Sequence, residues 1–275
     1  MDIGYVVVIA AATLWGAGSG ALLPRAAYRL SVEPGEAWRD ACPSGHPITG
    51  FAGGWLGAAR CDVGRCDVGR CDVGHREVGH PKADHGENHR RGAAAYRGSA
   101  LIPALTAAGC AGLAAAAGVR PETAVWVLLA PVAVLLALVD SRVHRLPDLL
   151  TLPLAAAAAV LLGGAALVPG AAGSWTAALL GGLVLGGAYF TLFLINPRGM
   201  GFGDVKLAVS LGIALGWYGW EVLFAGAFAG FLLGAVYGFG LVLLRRASRG
   251  SAIPFGPFMI GGTLIGLLMG AALAA

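Results

Sequence analysis

Residues 199–206 read Gly-Met-Gly-Phe-Gly-Asp-Val-Lys, and Asp204 opens an otherwise apolar run. A carboxylate placed deep in a bilayer costs about 2.5–3.5 kcal/mol on insertion scales, so it calls for a reason. Gly199, Gly201 and Gly203 permit an unwound backbone, which is tolerable at membrane depth only against protein or a water-filled cavity. They also let an extended strand approach closely.

The surrounding composition sets the class. Of the 275 residues 57% are hydrophobic and 12% charged, too little polar surface for a soluble domain of this size. The 45 glycines suit close helix packing in lipid, where small side chains let backbones approach. An all-α polytopic membrane protein follows, and no nucleic-acid partner is expected. The bilayer is its surroundings.

Crossing a hydrocarbon core of about 30 Å takes about 17–25 apolar residues. Eight runs qualify, near 3–23, 98–118, 122–140, 149–168, 174–195, 204–219, 221–244 and 255–274. The first lacks a basic leader and a small-residue cleavage site before Pro24, so it reads as a retained anchor. With eight spans, 18 of the 19 basic residues fall on one face and Arg120 alone on the other. The positive-inside rule makes the first face cytoplasmic and puts both termini outside. Three parts result: a first helix over 1–23, a cytoplasmic loop over 24–97, and a seven-helix membrane domain over 98–275.

Within the loop, residues 24–60 carry Trp38, Phe51 and Trp55 among turn formers, enough for a small cap. Residues 61–80 are four copies of a pentapeptide based on Cys-Asp-Val-Gly-Arg. That period matches neither helix nor strand, and the segment has too few apolar residues to offset its ordering entropy, so disorder is expected. Cys42, Cys61, Cys66 and Cys71 are weak metal candidates, with His75, His80, His85 and His89 nearby. Structural zinc sites pair their thiolates as Cys-x2-Cys or close to it. The wider spacing here reads as a repeat in a tolerant loop.

The chemistry lies elsewhere. Away from the outer face the membrane region holds three carboxylates, Asp140, Asp148 and Asp204. The charge tally puts Asp140 and Asp204 at the cytoplasmic ends of their helices, where they can share a site. Two carboxyls in a partly desolvated site do not both ionise, so one keeps its proton while the other acts as base. That pair activates water against a peptide carbonyl and protonates the leaving nitrogen. Capping is the competing role. Asp204 at a helix N-terminus gains about 0.3–1 kcal/mol from the dipole, and Asp148 after Pro147 reads as a cap. Asp140 at a helix C-terminus opposes the dipole, so capping does not account for it.

Three stretches together resemble the type IV prepilin peptidases, integral-membrane aspartic proteases of the Gly-x-Gly-Asp class. They are Val139-Asp-Ser-Arg-Val-His-Arg-Leu-Pro-Asp148 with its continuation to Pro153, Gly199 through Leu207, and Ile253-Pro-Phe-Gly-Pro-Phe258. The resemblance covers residues 98–275 and extends to the first helix. It implies that Asp140 and Asp204 are the catalytic dyad, with Gly201, Gly203, Lys206, Pro147 and Asp148 in the surrounding active-site loops. It implies prepilin or pseudopilin precursors as substrates, cut after a glycine at the cytoplasmic face of a bacterial inner membrane. Many such enzymes also methylate the new N-terminus with S-adenosylmethionine and hold zinc on two Cys-x2-Cys pairs. Here Cys42 is followed by Pro-Ser-Gly-His46, so zinc is not expected and methyl transfer stays open. Proteolysis by a dyad requires no cofactor.

A transporter relaying ions or protons through intramembrane acids is the alternative. It calls for inverted repeats with helices interrupted at mid-membrane. Matching half-repeats are absent from the sequence, and the acids cluster at one interface.

Overall fold

The computed structural model describes residues 3–33, 35–43, 45–58, 99–197, 199–244 and 253–274. The pentapeptide repeat, with Cys61, Cys66, Cys71 and its histidines, lies outside the described residues.

Each of the eight apolar runs is a helix. They are α1 (Ile3–Leu30), α2 (Leu101–Ala117), α3 (Pro121–Val143), α4 (Asp148–Ala166), α5 (Trp175–Ile195), α6 (Phe202–Gly216), α7 (Trp220–Leu243) and α8 (Gly256–Leu273). Six are long and apolar enough to cross a membrane, whereas α2 has 17 residues and α6 has 15. The chain is a multi-pass, all-helical membrane protein.

Glycine sets the closest helix pairs. A Cβ on Gly16 would come within 2.7 Å of the Thr106 carbonyl oxygen, and one on Gly212 within 2.5 Å of that of Gly181. A Cβ on Gly266 would come within 3.0 Å of the Gly226 Cα. The pairs α1–α2, α5–α6 and α7–α8 therefore meet backbone to backbone, as small residues allow in lipid. The short helix α6 is the hub. It packs against α4, α5, α7 and α8, and almost every residue from Asp204 to Gly216 is buried. Surrounded by protein, α6 need not span a full bilayer thickness on its own.

Consecutive helices alternate in direction. At one end, Arg120 donates to the Ala271 carbonyl, and the Ala172 N–H donates to Glu122. At the other end lie the C-termini of α1 and α3 and the N-termini of α4, α6 and α8. Asp140, Asp148 and Asp204 all sit there, as the charge tally requires.

Two boundaries differ from expectation. The first helix continues past Pro24 to Leu30, because Leu23, Ala26, Ala27 and Leu30 pack against Ile102, Leu135 and Val139. That burial outweighs the hydrogen bond a proline removes. Helix α6 stops at Gly216 rather than 219, since Gly219 takes a φ of 109° to turn the chain into α7.

The described part of the stretch expected as a cap, residues 31–33, 35–43 and 45–58, holds no regular sheet. Ala41 and Pro47 form an isolated bridge, and Trp38 meets Trp55 edge to face with centroids 5.2 Å apart. Arg29 lies over the Trp55 ring at 4.1 Å. Arg25 reaches from α1 to donate to the carbonyls of Thr49 and Ala58. Phe51 is 72% exposed and does not join the packing.

Candidate active site

Asp140 sits in the last turn of α3. Its carbonyl accepts the His144 N–H at 2.8 Å, and His144 ends the helix in the left-handed region with a φ of 51°. Pro147 then holds the chain extended at the start of α4, as its ring geometry favours. Leu146, between them, is buried, and a Cβ on Gly203 would come within 2.9 Å of the Leu146 Cβ. Glycine at 203 thus lets the first turn of α6 lie against the α3–α4 connection. That contact brings the two aspartates to one place.

Both carboxyls are held by backbone. Gly256, at the N-terminus of α8, donates its N–H to Asp140 Oδ2 at 2.9 Å. Gly201 donates to Asp204 Oδ2 at 3.1 Å, and the Asp204 N–H returns to the Gly201 carbonyl at 3.0 Å. Asp204 therefore does cap its helix, and the same bond fixes its carboxylate. Asp140 is 4% exposed and Asp204 7%, and the two interact electrostatically. In each, Oδ2 takes the backbone bond while Oδ1 carries none among the described residues.

The pair faces an open cavity of about 1030 Å³. Gly199, Gly201, Gly203, Lys206, His144, Arg145 and Asp148 share its polar wall with the dyad, and Phe231, Ile253, Phe255 and Phe258 form its apolar side. All three stretches singled out in the sequence line this one space. Pro147 is the exception: buried at the start of α4, it shapes the turn and is absent from the wall.

Asp148 departs from its expected role. It makes no capping bond in α4 and instead pairs with Lys206 at 2.6 Å across the cavity mouth. Lys206 also lies over the Phe202 ring at 4.9 Å. Both charged groups are partly exposed, so their pairing adds about 0–1 kcal/mol.

Sequence reasoning missed the part of the wall contributed by α7. Phe231, Gly234 and Ala235 line the cavity, yet an apolar helix carries no local mark of which face meets a site. Gly256 lies within the Ile253–Phe258 stretch, where the sequence alone marks no role for it. Its place is tightly set, since a Cβ there would come within 2.8 Å of Asp140 Oδ2.

Cys42 Sγ lies 3.7 Å from His46 Nδ1, and among the described residues no group of three or more His, Cys, Asp or Glu side chains converges. The four ligands of a structural zinc site are not assembled by the described part of the cap.

Comparison with known proteins agrees with the geometry. Residues 127–243 match the model of the type IV leader peptidase family. A prepilin leader peptidase/N-methyltransferase from Aeromonas salmonicida (strain A449) is 38% identical over 148 residues, covering 53% of this chain and 47% of that protein. Its Pseudomonas aeruginosa namesake is 36% identical over 150 residues, covering 53% of the chain and 47% of the relative. One from Bacillus subtilis (strain 168) is 35% identical over 99 residues, covering 35% of the chain and 38% of the relative. The chain thus spans about half the length of the first two relatives. No solved structure matches it. The matched segment runs from α3 to α7 and contains both aspartates, and over it the chain is similar to the type IV leader peptidase family.

Proposed function

We propose that this protein is an aspartic endopeptidase that removes the leader of type IV pilin-like or pseudopilin precursors. The observation that carries the reading is the pairing of Asp140 and Asp204 on one cavity wall, each held through Oδ2 by a backbone N–H. A water between the two Oδ1 atoms has a base on one side and an acid on the other. One carboxylate takes a proton as the water oxygen bonds to the peptide carbon. The protonated partner supplies a proton to the reacting amide, and the C–N bond breaks with the proton delivered to nitrogen. Protons and electrons balance over the two carboxyls and water, so proteolysis needs neither metal nor cofactor.

The fit to an extended substrate supports this reading. The glycines at 199, 201 and 203 give a wall of backbone, which accepts a peptide strand without side-chain collision. The positive-inside rule places this end of the bundle at the cytoplasmic face of a bacterial inner membrane, with both termini outside. Zinc and S-adenosylmethionine form no part of the peptidase mechanism. The relatives' name couples cleavage to N-methyl transfer, and the test below reads both.

Co-expression with a precursor tests the proposal. Cleavage after the leader glycine is expected with the native chain and absent in Asp140→Asn and Asp204→Asn, each still present in the membrane fraction. Processing by either variant at the native rate contradicts it. A product heavier by one methyl group assigns the second activity.

A further inference from the structure

The α3–α4 connection carries a cation whose backbone is fixed on both sides. His144 ends α3 by donating its N–H to the Asp140 carbonyl at 2.8 Å. Leu146 is buried against the first turn of α6, where a Cβ on Gly203 would come within 2.9 Å of the Leu146 Cβ. Arg145 sits between them in the wall of the cavity that holds the dyad. Its side chain reaches the cap, where Nη1 donates to the Glu33 carbonyl at 3.1 Å. The anchor is the backbone of Glu33, and among the described residues Arg145 forms no ion pair.

The charges of the wall leave this guanidinium unmatched. Lys206, another cation of the wall, is neutralised by Asp148 at 2.6 Å. Asp140 and Asp204 are held by the N–H groups of Gly256 and Gly201 rather than by a cation. Among the described residues, Arg145 is therefore the permanent cation of the wall that lacks a carboxylate. A guanidinium carries five N–H donors in a planar fork that matches a carboxylate, and the tether to one carbonyl uses one of them. The same tether holds the long side chain in place before a ligand arrives, which lowers the ordering cost of binding.

We propose, resting on the peptidase reading above, that Arg145 is a specificity-determining residue that receives an acidic side chain of the precursor close to the scissile bond. The carboxylate accepts charge-assisted hydrogen bonds from the free edge of the guanidinium, while the Glu33 carbonyl keeps Nη1. No proton moves and no bond breaks at Arg145. Its contribution lies in binding and in setting the register of the peptide across the dyad.

The test uses a precursor whose acids on either side of the leader glycine are changed to amides, with glutamate then restored one position at a time. Purified full chain cleaves each in detergent. At one position, native protein is expected to show a KM about tenfold lower for glutamate than for glutamine, the low end of what a hydrogen bond to a charged group contributes. An interaction that serves binding alone leaves kcat the same for both precursors. Arg145→Gln is expected to raise KM for the glutamate precursor about tenfold and to erase the preference, so that the two changes together cost no more than either alone. Equal KM for glutamate and glutamine at every position in native protein overturns the proposal. So do additive losses, since a residue that only tethers the cap weakens both precursors alike. The series is repeated with phosphatidylglycerol. A KM rise in Arg145→Gln that needs this anionic lipid and ignores the peptide's acid assigns the guanidinium to a headgroup and also overturns the proposal. Native enzyme and Asp204→Asn run in the same series, so an inert native enzyme marks failure of the peptidase reading instead.

Discussion

At the scale of single residues, the placement of two oxygen atoms is set by glycine. Gly256 donates to Asp140 Oδ2, and a methyl group on its Cα would lie 2.8 Å from that oxygen. Gly256→Ala is expected to displace the carboxylate and lower kcat by about 10²-fold, as a misplacement of about 1 Å does. Cleavage kinetics check this, with circular dichroism confirming retained helix. The Lys206–Asp148 pair behaves differently, since both members are partly exposed. Lys206→Ala is expected to shift stability by less than about 1 kcal/mol, measured by thermal unfolding in detergent. The aspartates were legible in the sequence because an acid in an apolar run is conspicuous. Gly256 was not, since a glycine among 45 acquires meaning only from what packs opposite.

At the scale of elements, α6 shows why a helix of 15 residues serves in this fold. Its buried length rests on α5 through Gly181, Gly182 and Gly186, each of which would collide with α6 if it carried a side chain. Gly181→Val is expected to destabilise the protein by about 1–3 kcal/mol, the cost of overpacking a close contact. It is also expected to reduce cleavage, because α6 carries Asp204. A thermal-shift series beside the activity assay reads both effects. The apolar runs announced α1 to α8, since length and hydropathy suffice for existence. Boundaries were less visible. The extension of α1 through Pro24 depends on Leu135 and Val139 more than a hundred residues away, a contact outside any local window. The role of Asp148 as partner of Lys206 was hidden for the same reason.

At the scale of the molecule, the site lies at one end of an alternating bundle, and the orientation proposed from the distribution of charge puts that end at the cytoplasmic face. In a cysteine-depleted background, Glu36→Cys in the cap is expected to react with a membrane-impermeant maleimide only after the membrane is opened. Ala172→Cys, in the loop between α4 and α5 at the opposite end, is expected to react in intact cells. The reverse pattern contradicts the orientation. The cavity is open and flanked by α7, whose outward face is apolar, with Phe224, Phe228 and Phe239 exposed. That face suits lipid contact and leaves the polar wall for the peptide.

Joint action of Asp140 and Asp204 on a precursor's leader peptide is read most plainly from product mass after cleavage by purified protein. Incubated with a precursor in lipid-supplemented detergent, the native chain is expected to release the leader and leave a product whose N-terminal residue is the one after the leader glycine. Asp140→Asn and Asp204→Asn, purified at equal yield and equal thermal stability, are expected to leave the precursor mass unchanged. Cleavage at that glycine by either variant at the native rate would contradict the account.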